Sequence, residues 1–111
     1  MSNDWKPETK SLFNTLKKHG IVIVKVDNGE SVTEFANVTL KQFIDETTAC
    51  DEANLYVTTP DGKMRWIFLV YGNSPGELVC DYHCNAEIEA ASNEHFDAWN
   101  GRAQPRCKSP Y

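Results

Sequence analysis

The sequence predicts a single α+β domain, with three helices against one five-stranded antiparallel sheet, and three observations carry that prediction. Three segments space their apolar residues at helical period and are bounded by capping residues. Five short runs are rich in β-branched and aromatic residues. The turn signals Asn28-Gly29, Pro60-Asp61-Gly62 and Pro75-Gly76 join the five runs into a hairpin and a three-stranded meander through connections too short for parallel crossovers. A chain of 111 residues, 41% of them hydrophobic, is long enough to form a core without metal or disulfide staples.

The first helix spans Pro7 to His19, with Leu12, Phe13 and Leu16 on one stripe and Gly20 placed to end it. Its Lys6, Lys10 and Lys17 form a solvated outer face. Ile21 to Val26 reads as a strand, and Asn28-Gly29 as the two loop residues of a type I′ hairpin. That register sets Val26 opposite Ser31, Val24 opposite Thr33 and Val22 opposite Phe35, with the second arm ending near Val38. Thr39 and Gln42 make a capping box for a second helix that runs to about Cys50.

Three strands follow, Leu55 to Thr59, Lys63 to Tyr71 and Glu77 to His83. Pairing Tyr71 with Glu77 gathers Trp66, Phe68, Val70, Leu78, Cys80 and Tyr82 on one face, the expected core. Arg65, Ile67, Leu69, Tyr71, Val79, Asp81 and His83 take the other. Asn85 caps the last helix, whose stripe holds Ile88, Ala91, Ser92, His95, Phe96 and Trp99.

The element order is therefore α-β-β-α-β-β-β-α. If the last strand docks beside the first, the strand order is 2-1-5-4-3, and the arrangement resembles profilin-like and roadblock-like folds in element order. That resemblance implies a scaffold used alike by adaptors, dimerisation modules and small-molecule sensors.

Charge divides the chain. The tail from Gly101 to Tyr111 holds three of the 11 basic residues, Arg102, Arg106 and Lys108, and no acid. Residues 1–100 keep 8 basic against 16 acidic side chains, a net of −8. An acidic body argues against a phosphate-backbone binder, and Pro105 and Pro110 make the tail a mobile end. No apolar run reaches the ~20 residues of a membrane span and no export signal is recognisable, so a cytoplasmic protein with four cysteine thiols is expected.

Candidate chemistry is sparse. Arg65, Asp81 and His83 form the best polar cluster, with Arg65 and His83 as a cross-strand pair, suited to an anion or a protein surface. Cys80, His83, Cys84, His95 and Cys107 invite a zinc reading, but four strand residues set Cys80 and Cys84 about 13 Å apart, beyond one ion. His95 falls on a buried stripe and reads as a core histidine bonded to a backbone carbonyl. No phosphate-binding loop, dinucleotide glycine pattern, H-E-x-x-H or G-x-S-x-G occurs.

The reading that follows is a small acidic interaction module of adaptor, immunity or inhibitor type, with no cofactor, no metal and no catalytic residue assigned. Its binding residues are Arg65, Tyr71, Asp81 and His83, toward a protein partner or a second copy. The alternative surface is the acidic corner Asp45, Glu46, Asp51 and Glu52. The alternative function is a sensor of a small molecule or anion, with a small Cys- or His-dependent enzyme behind it.

Overall fold

Each helix begins or ends where its capping residues dictate. The computed structural model describes residues 6–71 and 78–99, with the backbone alone at Trp99. Expectations resting on the Trp99 side chain, the Pro75-Gly76 turn, Cys107 and the tail lie outside the described residues. Helix α1 (Lys6–Lys18) stops at Gly20, whose φ of +77° closes a Schellman motif. The Gly20 N–H donates to Lys17 O and the Ile21 N–H to Leu16 O, each at 3.0 Å. Helix α2 (Leu40–Thr47) carries the expected capping box, with Thr39 and Gln42 each accepting from the other's backbone N–H. Helix α3 (Ala86–Trp99) starts on Asn85, whose Oδ1 accepts from the Ile88 N–H at 3.0 Å.

The strands β1 (Val22–Asp27), β2 (Val32–Glu34), β3 (Glu52–Thr58), β4 (Met64–Val70) and β5 (Val79–Tyr82) form one antiparallel sheet. The fold is α+β, in the element order expected. The strand order is not 2-1-5-4-3 but β2-β1-β3-β4-β5. β3 alternates cleanly, with Ala53, Leu55 and Val57 at 1%, 0% and 0% exposure, and it takes the centre between β1 and β4. β5 is four residues long and bulged at Cys80, which suits an edge.

The first hairpin also differs. Asn28 lacks the positive φ that a type I′ turn demands, so residues 28–31 form a four-residue loop. The buried Asn28 side chain builds it, Oδ1 accepting from the Glu30 and Ser31 N–H groups and Nδ2 donating to Glu46 O. Val26 therefore opposes Thr33, and β2 ends at Glu34. A bulge between Ile23 and Lys25 then turns Ile23 and Val26 inward and leaves Val22 52% exposed, where the alternation places Val22 and Val24 inside.

All three helices cover one face of the sheet. Leu12, Phe13 and Leu16 of α1, Phe43 of α2 and Ile88 and Ala91 of α3 share a core with Leu55, Ile67, Leu69 and Tyr82. The Phe13 and Phe43 rings meet at 5.2 Å between centroids. Trp66, Phe68 and Val70, the expected core of β4, are half-buried on the opposite face, and Cys80 is exposed. The cause is the β3 partner: Leu55 pairs with Ile67 and Ala53 with Leu69, so the inward face of β3 selects the aliphatic side of β4.

Candidate interaction surface

The face away from the helices is built by cross-strand pairs. Tyr56 of β3 lies opposite Trp66 of β4, and Asn54 opposite Phe68. On the β1 side, Lys25 pairs with Tyr56 and sets its ammonium 4.6 Å from the ring centroid, a cation–aromatic contact. On the β5 side, the Cys80 bulge shifts the register by one residue, so Asp81 opposes Phe68 and Tyr82 turns into the core opposite Ile67. His83 then stacks on Trp66 at 6.2 Å and 19° rather than pairing with Arg65. No described helix lies over these residues.

The structure separates the four residues expected to bind together. Asp81 and His83 do lie on the open face, each with a buried polar atom, Oδ1 and Nε2, that has no hydrogen-bond partner among the described residues. An unmet acceptor of that kind costs about 1–3 kcal/mol. Arg65 points to the helix side, where its guanidinium binds Asp61 at 2.8 Å and Nε donates to Thr59. The Thr59 hydroxyl, the Arg65 guanidinium and the Lys63 N–H hold the Asp61 carboxyl far below its usual range. Tyr71 is 4% exposed, its hydroxyl 3.1 Å from Thr9 Oγ1, and burial pushes the phenol pKa up. Tyr71 is thus removed from any open surface.

The acidic corner is divided as well. Asp45 pairs with Lys41 at 2.6 Å along α2. Glu46 accepts the Thr33 hydroxyl at 2.8 Å and braces the hairpin. Asp51 and Glu52 are exposed, Glu52 at the start of β3. A shallow concavity of about 190 Å³ beside Phe68 is lined by Glu52, Asp27 and Asn54, a grouping that the mistaken sheet face conceals in the sequence.

The remaining chemistry is structural in character. His95 binds Glu8, not a backbone carbonyl: Nε2 lies 2.8 Å from Oε2, with the two residues 1% and 2% exposed, tying α3 to α1. Glu8 was hidden because a helix-start glutamate ordinarily reads as a solvated dipole partner. Cys84 is disulfide-bonded, which corrects the expectation of four thiols. Cys50 and Cys80 are thiols, and partial burial with the Glu30 carboxylate raises the pKa of Cys50, away from nucleophilic reactivity. Among the described residues no three His, Cys, Asp or Glu side chains converge as a metal site, and no helix is long and apolar enough to cross a membrane. Comparison with family models, curated proteins and solved structures finds no match to this chain.

Proposed function

We propose that the chain is a protein-interaction module of adaptor, immunity or inhibitor type, which holds its partner on the open face of the sheet. The observation that carries this reading is the placement of Tyr56, Trp66 and Phe68 on the face that no described helix covers, while the aliphatic Leu55, Ile67 and Leu69 of the same strands turn into the core. Aromatic side chains with polar neighbours are the composition that interface hot spots favour. Aromatic residues on an open sheet also serve single-stranded nucleic acid, but those surfaces need a cationic track. Here Asp27, Glu34, Glu52 and Asp81 accompany one ammonium, that of Lys25, on the sheet residues of this face.

A photo-crosslinking residue at Phe68 tests the reading in extracts of the native host. It should give a discrete adduct with one other protein, which is identified and then rebound in purified form, Trp66→Ser weakening it at least about tenfold. Adducts from a crosslinker at Lys41 on α2, with none from Phe68, would place the interface elsewhere. The disulfide at Cys84 favours an oxidising compartment over the cytoplasm for this module.

A second reading rests on a cleft of about 300 Å³ between Phe13 and Lys17 of α1 and Ala36 to Val38, which is at the small end for ligand sites. A small-molecule ligand there would shift the Phe13 and Val38 resonances and leave Trp66 unmoved.

A further inference from the structure

The open face divides at Phe68 into a half with a cation built in and a half whose concavity is lined by no cation among the described residues. Toward β1, the Lys25 ammonium already sits over the Tyr56 ring. Around Phe68 the ring and the carboxylates line a concavity with no ammonium or guanidinium among the described residues. Asp27 and Glu52 line the concavity on one side of the ring, and Asp81 opposes it from β5, its Oδ1 without a hydrogen-bond partner among the described residues. Three other described cations are engaged elsewhere: Arg65 by Asp61, Lys18 by Glu94 and Lys41 by Asp45.

We propose, resting on the interaction-module reading above, that this face receives a cationic segment of a partner protein, anchored by an arginine side chain in the concavity beside Phe68. A guanidinium is planar and weakly hydrated, so it can stack on the Phe68 ring while its N–H groups donate to the Glu52 and Asp27 carboxylates. The concavity, about 190 Å³, has room for such a side chain. Asp27 already accepts the Gly29 N–H through Oδ1, which orients the carboxylate and leaves Oδ2 for a ligand. Charge complementarity selects the occupant: residues 1–100 carry a net −8, so a basic partner is drawn in and a second copy of this acidic face is repelled.

The test uses the full chain and a short glycine-serine peptide with one central arginine, followed by nuclear magnetic resonance. The arginine peptide should shift the resonances of Phe68, Glu52, Asp27 and Asp81, and its citrulline counterpart, which keeps the shape and loses the charge, should not. The double variant Asp27→Asn, Glu52→Gln should weaken binding about tenfold, and Glu52→Gln alone, which leaves the Asp27 brace of the hairpin intact, should give part of that loss. Equal binding of arginine and citrulline, or shifts confined to other surfaces, would overturn the proposal. So would binding that emerges only after Arg102, Arg106 and Lys108 are all changed to Gln, since the site would then belong to the chain's own tail. If the peptide fails while crosslinking at Phe68 succeeds, the arginine anchor is wrong and the interaction face stands.

Discussion

Across β4 the sheet passes from Ile67 and Leu69, at 1% and 0% exposure beneath the helices, to Trp66 and Phe68, half-buried on the side that no described helix covers. All four side chains are strongly apolar, so hydrophobicity does not distinguish the faces. Packing shape does. Aliphatic residues share the core with Leu12, Leu16 and Phe43, while the flat Trp66 ring lies opposite Tyr56, stacks on His83 and remains partly wet. The covered face stabilises the fold, and the open face is left with side chains suited to a partner.

The largest expected effect tests that division directly. Leu55→Ala, at the centre of the covered face, should cost about 3–4 kcal/mol, because it removes a fully buried side chain and leaves a cavity. Phe68→Ala should cost less, about 1–2 kcal/mol, since the ring is only partly buried and water can fill the space it leaves. Urea unfolding of both variants gives the comparison. Equal losses would mean that the two faces are energetically alike and that the aromatic side is a second core.

The next effect concerns Cys84, at the end of the edge strand that borders the open face. Reduction of its disulfide, or Cys84→Ser, should lower stability by about 2–3 kcal/mol and shift thermal unfolding by many degrees, where four thiols would give none. With Cys50 and Cys80 present as thiols, non-reducing peptide mapping should recover Cys84 in a disulfide-linked peptide. A chain with four titratable thiols after purification without reductant would count against both statements.

Much of the fold was legible because its signals are local. The Thr39 and Gln42 box, the Asn85 cap and the Gly20 stop each depend on atoms within a few residues, and each forms as expected. The faces were not legible from β4 alone, since MRWIFLV is apolar at almost every position and its alternation is silent. The informative strand was β3, where Asn54 and Tyr56 alternate with Leu55 and Val57, and the Pro60-Asp61-Gly62 turn fixes its pairing with β4. Two bulges, at Val24 and Cys80, each shift a register by one residue and carry no clear mark in the sequence. The Cys80 bulge alone separates Arg65 from His83, and with them the polar cluster read from the sequence. Glu8 and His95 lie 87 residues apart, a pairing that only the packing of α1 on α3 reveals.

A smaller effect marks where α1 hands the chain to the covered side. Gly20 has φ of +77°, and an added Cβ would come within 3.2 Å of the Pro60 ring. Gly20→Ala should therefore cost about 1 kcal/mol through backbone strain and crowding. Binding of the arginine peptide should not change, because the open face is built from other strands. A parallel loss of stability and binding would show that the two faces are mechanically coupled.

The smallest effect separates the covered cation from the open carboxylates. Asp61 is held ionised by the Thr59 hydroxyl, by Arg65 and by the Lys63 N–H, and its pKa in the folded chain lies below its unfolded value. A depressed carboxylate contributes stability that is fully present above its unfolded pKa of about 3.9 and is lost as pH falls toward the folded value. Asp61→Asn should therefore flatten the acid limb of the stability curve below about pH 4 and change little at neutral pH, where an exposed turn pair contributes weakly. The same variant releases Arg65 from its ion pair. Since Arg65 stands on the helix side of β4 and the proposed anchor stands beside Phe68, arginine-peptide affinity should be unaltered. Weakened affinity in Asp61→Asn would mean that the released guanidinium reaches the open face and competes for Asp81 or Glu52, which would restore Arg65 to the binding surface from which the observed register removes it.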